Sequence, residues 1–180
     1  MSFSQSLLHL SDRLDQLFIK IGYYVSYIFL FIVAIGFYEV LARYIFSSPT
    51  IWVHELTTFL VSLSLLYGGV ACYASNKHIA MTFIRQQFSP KVRWALGLLV
   101  EILVFIFFIL LSYGSYLSAM EALFTPMGTF KMQTSGTVLD TPFPAIEKTF
   151  FFISCLMVLF LSVLHIFRHI CTKNDQEVVS

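Results

Sequence analysis

Residues 92–120, VRWALGLLVEILVFIFFILLSYGSYLSAM, decide the fold. Beyond Arg93 the only charged residue in this stretch is Glu101. The stretch exceeds the about 20 residues that an α-helix needs to cross a ~30 Å hydrocarbon core. In lipid every backbone N–H and C=O must find a partner within its own segment, so a helix is the economical reading. Residues 21–46, 52–74 and 143–170 have the same character. Little chain remains outside the four runs to build a soluble catalytic unit. The sequence therefore reads as one all-α integral membrane domain over residues 1–180 with four transmembrane helices. No catalytic, cofactor-binding or metal-ligating set emerges from it.

Composition agrees: 58% of the residues are hydrophobic, 12% are charged and the mean hydropathy is +0.81. A soluble domain carries roughly 25% charged residues. No basic stripe suits nucleic acid, and that class is set aside. Orientation follows from Lys and Arg. Arg13, Lys20, Lys77, Arg85, Lys91, Arg93, Arg168 and Lys173 fall on one side, leaving Arg43, Lys131 and Lys148 for the other. By the positive-inside rule the first set is cytoplasmic, and both termini with it.

Residues 1–20 contain His9, Asp12, Arg13 and Asp15 and lack a continuous apolar stretch, so they do not read as a cleavable signal peptide. Phe3, Leu7, Leu10, Leu14, Leu17 and Ile21 instead form a helical stripe. This predicts an amphipathic interfacial helix along the cytoplasmic face, or one docked on a partner helix. Cys72, Cys155 and Cys171 lack C-x-x-C spacing and suggest no redox relay.

The first connection, Ser47-Ser48-Pro49-Thr50, reads as a tight external turn in which Thr50 can cap the next helix. The second, 75–90, is cytoplasmic, with one or two amphipathic turns around Ile79, Met81, Phe83, Ile84 and Phe88. The third, from about Leu123 to Pro142, is the only sizeable external segment. The third span and its continuation to Leu123 reach ~48 Å at 1.5 Å per residue, and must tilt or project beyond the lipid.

Ionisable residues within spans are expensive and mark candidate sites. Glu39 and Arg43 stand four apart in the acidic-first order that favours a local pair. Glu55 opens the second helix, where a carboxylate complements the positive N-terminus. Glu101 lies ~12 Å along the axis from Arg93, by the rise of an α-helix. A structural or interface role for it is favoured over proton coupling, because no second carboxylate in the spans falls at its depth. Ser64, Gly68 and Cys72 repeat every four residues, as do Ser115 and Ala119, and such stripes let helices approach closely. Glu39, Arg43, Glu55, Ser64, Gly68 and Glu101 are the candidate partner-interface residues. Trp52 and Trp94 sit at span ends as membrane-interface anchors.

The stretch Trp52-Val53-His54-Glu55, the Leu/Phe-rich run after it, Gly68-Gly69, and Lys77-His78-Ile79 resemble the small membrane subunit of tripartite ATP-independent periplasmic (TRAP) transporters. Trp52, Glu55, Gly68, Gly69, His78 and Ile79 carry the resemblance. Ala80 and Thr82 stand where that family often has a basic and then an acidic residue. The resemblance implies a multi-pass subunit of a bacterial inner membrane without a cofactor or an enzymatic activity. It also implies an obligate complex with a large membrane subunit that holds the substrate and sodium sites. A periplasmic binding protein would deliver an organic acid such as a C4-dicarboxylate or a sialic acid.

Two rivals belong to other classes. A four-helix membrane cytochrome needs two histidines at matched depth facing each other. His78 and His165 are the conceivable pair, with His169 nearby and His54 at the opposite end. A small stand-alone exporter would use Glu39 or Glu101 as a proton switch. Against an autonomous transporter stand the absence of broken helices with paired Gly/Pro interruptions and of an inverted repeat.

Overall fold

A computed structural model describes residues 3–48, 50–75, 90–125 and 127–178. Four helices carry the chain: α1, Phe3–Tyr44; α2, Ile51–Ala74; α3, Pro90–Leu123; and α4, Phe143–Val178. Each contains a window long and apolar enough to cross a membrane: Ser11–Tyr44, Ile51–Ala74, Val92–Leu123 and Phe143–Ile170. They overlap the four runs expected from the sequence, the first starting earlier and ending at Tyr44 rather than at 46. The amphipathic turns expected around Met81–Phe88, with Lys77, His78, Ile79 and Arg85, lie outside the described residues.

The N-terminal amphipathic stripe and the first span form one helix of 42 residues with no break at residue 20. Nothing in the sequence interrupts it: Gly22 is its first glycine, and the segment contains no proline. It ends at Tyr44, where the Ile45 N–H still reaches Leu41 O and the Ser48 N–H returns to Ala42 O at 3.0 Å. Ser47 turns the chain with a left-handed φ of 49°. Pro49 lies outside the described residues.

α1 packs on α2 and α3 on α4, and α4 also meets α2 and α1. α4 is therefore the central helix: 33% of its most apolar window is buried within the bundle, against 6% for α1. Its Leu161 and Val158 join Val70, Tyr73 and Ala74 of α2 in the core, with Phe18, Val104 and Phe108 packed around them. Phe143 of α4 stacks on Phe59 of α2 at 4.4 Å between ring centroids. Tyr116 of α3 leans on Phe152 of α4.

Small residues set the close approaches. Ser115 and Ala119 are buried, as their spacing implied. The Ser115 hydroxyl satisfies itself on Ser112 O of its own helix, at 3.0 Å. On α2 only Ser64 of the Ser64–Gly68–Cys72 stripe is buried; Gly68 and Cys72 are exposed. The tight crossing between α1 and α2 lies instead at Gly22, where an added Cβ would stand 2.6 Å from the Cβ of Ala71. Nearby, the Tyr67 hydroxyl donates to Phe18 O across the two helices at 3.4 Å. Gly22→Ala should destabilise the chain by about 1–3 kcal/mol through overpacking. Adding Ala71→Gly should restore most of the loss, as read by reversible unfolding in mixed micelles.

Candidate functional site: a polar knot of four helices

Polar side chains collect at the two ends of the bundle. At the end bearing both termini, every helix contributes to one cluster. α4 presents His165, 5% exposed, and α1 presents Asp15, 6% exposed. The His165 Nε2 lies 3.2 and 3.3 Å from the two Asp15 carboxylate oxygens. A carboxylate only accepts, so Nε2 carries the proton. The opposite ring nitrogen, Nδ1, faces Glu101 Oε1 of α3 at 3.9 Å. The Tyr73 hydroxyl of α2 donates to Glu101 Oε2 at 2.5 Å, and its ring stacks on the imidazole at 5.2 Å. One turn beyond His165, Arg168 bridges Asp12 at 2.9 Å and Asp15 at 3.7 Å.

Continuity of α1 brings this cluster together. With no break after Lys20, Asp15 stays on the bundle and reaches the level of His165. The expectation that Glu101 has no carboxylate at matching depth is thereby corrected: Asp15 and Glu101 flank the two nitrogens of one imidazole. Sequence reasoning missed Asp15, Tyr73 and Arg168 as members and treated His165 only as a conceivable haem ligand. The available signal was the pattern Ser11, Asp15 and Phe18, which puts a carboxylate on the buried side of an amphipathic helix.

A second clasp lies beside the first. Trp94, expected as a membrane-interface anchor, donates from its indole N–H to His169 O at 3.2 Å. The His169 Nε2 returns a bond to Trp94 O at 3.0 Å, and the two rings lie parallel, 5.7 Å apart. The start of α3 is thus stitched to the end of α4. His165 and His169 are four residues apart on one helix, each engaged by a different neighbour, and His54 lies at the far end of the bundle. His78 is outside the described residues.

At the far end two carboxylates organise the connections. Glu39 pairs with Arg43 at 2.9 Å, as the four-residue spacing implied. It also accepts from the Thr50 N–H at 3.3 Å and from the Thr50 hydroxyl. Thr50 therefore occupies the N-cap position of α2 without capping it, because its hydroxyl is held by Glu39. Glu55 gathers the longest loop: the hydroxyls of Thr141, at 2.6 Å, and Thr137 both donate to it, with Ser135 at 3.5 Å. The loop closes on itself through the Ser135 N–H to Thr141 O and the Asp140 N–H to Thr137 O. Gly136, with φ 66°, makes that turn feasible. Trp52, the other expected anchor, is exposed and leans on Tyr38 at 6.2 Å.

Of the candidate interface residues, Glu39, Glu55 and Glu101 thus have partners within the chain, and Ser64 is buried. Arg43 remains largely exposed at 58%, and Gly68 faces outward with nothing within 4 Å of an added Cβ. Among the described residues no group of three or more His, Cys, Asp or Glu side chains is arranged to hold a metal ion.

Two outcomes follow from this geometry. Asp15→Ala, which leaves the buried His165 N–H without its acceptor, should cost about 1–3 kcal/mol in detergent unfolding. Glu55→Ala should release the loop, raising amide exchange at Ser135 and Asp140 by roughly tenfold or more, since hydrogen bonds to a charged group typically contribute 1.5–3 kcal/mol. Amides within α2 should be unchanged.

No curated protein matches the chain in a sequence search. Residues 32–172 match the family described as tripartite ATP-independent periplasmic transporters, DctQ component. The match takes in the whole bundle except the N-terminal part of α1 and the last turns of α4, and includes Glu39, Glu55, Tyr73, Glu101, His165 and Arg168. A multi-pass, four-helix chain that matches this family over most of its length belongs to the DctQ component family of tripartite ATP-independent periplasmic transporters.

Proposed function

We propose that the chain is the small transmembrane subunit of a TRAP-type secondary transporter, bracing a large sodium-coupled membrane subunit. In this reading the large subunit carries the solute path for small organic acids such as C4-dicarboxylates or sialic acids. A periplasmic binding protein delivers the cargo. The complex sits in a bacterial inner membrane, with both termini of this chain cytoplasmic and the Glu55-bound loop periplasmic. The small subunit has no enzymatic role and conducts nothing alone.

One observation carries the reading. The three carboxylates singled out on the apolar helices are engaged by side chains of this same chain: Glu39 by Thr50 and Arg43, Glu55 by the loop hydroxyls, and Glu101 by Tyr73. Polar groups that hold helices to one another serve a brace. A translocation route instead keeps its ionisable groups facing a cavity. The outward faces of α1 and α3 are apolar, with Leu30, Val33, Phe37, Leu103 and Leu110 exposed. They suit lipid and a large membrane partner equally well.

Within this reading the large subunit docks where small residues are left unoccupied, around Gly68 and Gly69 on α2. Close backbone approach is the main source of helix association in lipid, and an uncovered Gly pair provides it. Gly68→Leu should abolish co-purification with the co-expressed large subunit. The same substitution should not destabilise the isolated chain, because a Cβ at Gly68 meets nothing within 4 Å.

Function is tested by uptake into proteoliposomes under a sodium gradient, with the binding protein and its organic acid supplied. Uptake should require both membrane subunits. Robust uptake by the small chain alone would refute the proposal.

A further inference from the structure

The outward face of α1 changes character over a short stretch, near the level where α2 ends. Gly22 stands against Ala71, in the last turn of α2 before Ala74. Around that level α1 turns Lys20, Tyr23, Tyr24 and Tyr27 away from the bundle. All four are exposed, the tyrosines at 63%, 61% and 54%. Spacings of three and four residues put them on one helical face. Towards the far end of the bundle the face continues with the exposed Leu30 and Phe31. Towards the N-terminus it continues with the exposed Gln16 and Arg13. Cation, phenol and hydrocarbon thus follow one another as water, phosphate and acyl chain do across a leaflet.

Aromatic residues at a bilayer boundary are common anchors and by themselves need no ligand. Two observations go further here. The first is that the phenols are linked and directed. The Tyr27 hydroxyl donates to the Tyr23 hydroxyl at 3.0 Å, and the two rings meet edge to face at 5.4 Å. Long side chains on a helix lean towards its N-terminus, so these phenols lean towards Lys20. Tyr23, its oxygen already accepting, keeps its own O–H to donate, and the accepted bond polarises that O–H. Among the described residues no protein acceptor takes the proton of Tyr23 or of Tyr24.

The second observation concerns charge. Among the described residues no carboxylate pairs with Lys20, and the positions three and four away hold Gln16, Leu17, Tyr23 and Tyr24. At the opposite boundary the exposed Arg43 is neutralised by Glu39 at 2.9 Å. An ammonium with three donors beside two free phenol O–H groups is complementary to an anion rich in acceptor oxygens.

We propose that Lys20, Tyr23 and Tyr24 form a headgroup site for an anionic phospholipid, in the leaflet at the end bearing both termini. The ammonium and the two phenols hold the phosphate, and Leu30 and Phe31 lie along an acyl chain. Tyr27 is a positioning residue that aims the Tyr23 hydroxyl. Arg13, ~10 Å farther along the helix axis, adds attraction for a negatively charged surface. The site requires only that α1 crosses a bilayer, and it is independent of the transporter reading.

Native mass spectrometry of the detergent-purified full chain compares dioleoyl phosphatidylglycerol with dioleoyl phosphatidylcholine. The anionic lipid should bind about tenfold more tightly, the size expected of one charge-assisted hydrogen bond. Lys20→Gln should bring that preference below about twofold, and Tyr23→Phe should weaken the anionic lipid by about threefold. Lys91→Gln, at the start of α3, should leave the preference unchanged. Equal affinity for the two lipids, or equal losses in Lys20→Gln and Lys91→Gln, overturns the inference. Displacement of the lipid by a millimolar excess of inorganic phosphate also overturns it. A photoreactive benzoylphenylalanine in place of Tyr24, irradiated in native membranes, should become joined to phospholipid. Joining instead to another protein, or to a second copy of this chain, refutes the lipid assignment.

Discussion

Apolar side chains that face lipid before assembly gain little by facing one another afterwards, so a membrane bundle depends on close backbone approach and on the pairing of its few polar groups. In this chain that constraint places the decisive contacts at the two ends. At one end His165 lies between Asp15 and Glu101, with Tyr73 stacked on its ring. At the other, Glu39 holds the entry to α2 and Glu55 holds the long loop. The apolar middle fills the space between and allows many registers. The polar ends select one of them.

α4 is central for the same reason. It carries His165, Arg168 and His169 in its C-terminal half and Phe143 at its start, and so offers a partner to each of the other helices. α3 and α1 each present only one narrow side to the bundle. Their broad remaining faces stay apolar, which is tolerable only where lipid or another membrane protein covers them. Membership of the DctQ component family is consistent with both coverings.

The architecture was legible in the sequence because a span is a property of length and composition, and residues 92–120 need no partner to be read. The Glu39–Arg43 pair was equally legible, since helix geometry alone puts residues four apart side by side. The cluster around His165 was hidden for two reasons. Asp15 and His165 alone stand 150 positions apart, and local periodicity says nothing about which helix faces which. Residues 1–20 also seemed a separate surface segment because their stripe is amphipathic, whereas the helix continues straight into the span and brings Asp15 with it. Thr50 shows a smaller failure of the same kind. Its position predicts a cap, but a stronger acceptor, the Glu39 carboxylate, lies within reach.

An unbroken α1 has a mechanical consequence. A rod of 42 residues is about 63 Å long at 1.5 Å per residue, roughly twice the thickness of the hydrocarbon it crosses. Such a rod cannot bend to absorb a change of slant at its lipid-embedded half. Its N-terminal half is tied to α4 through Asp15 and Asp12, so a lean about Gly22, where α1 presses on Ala71, is passed directly to the central helix.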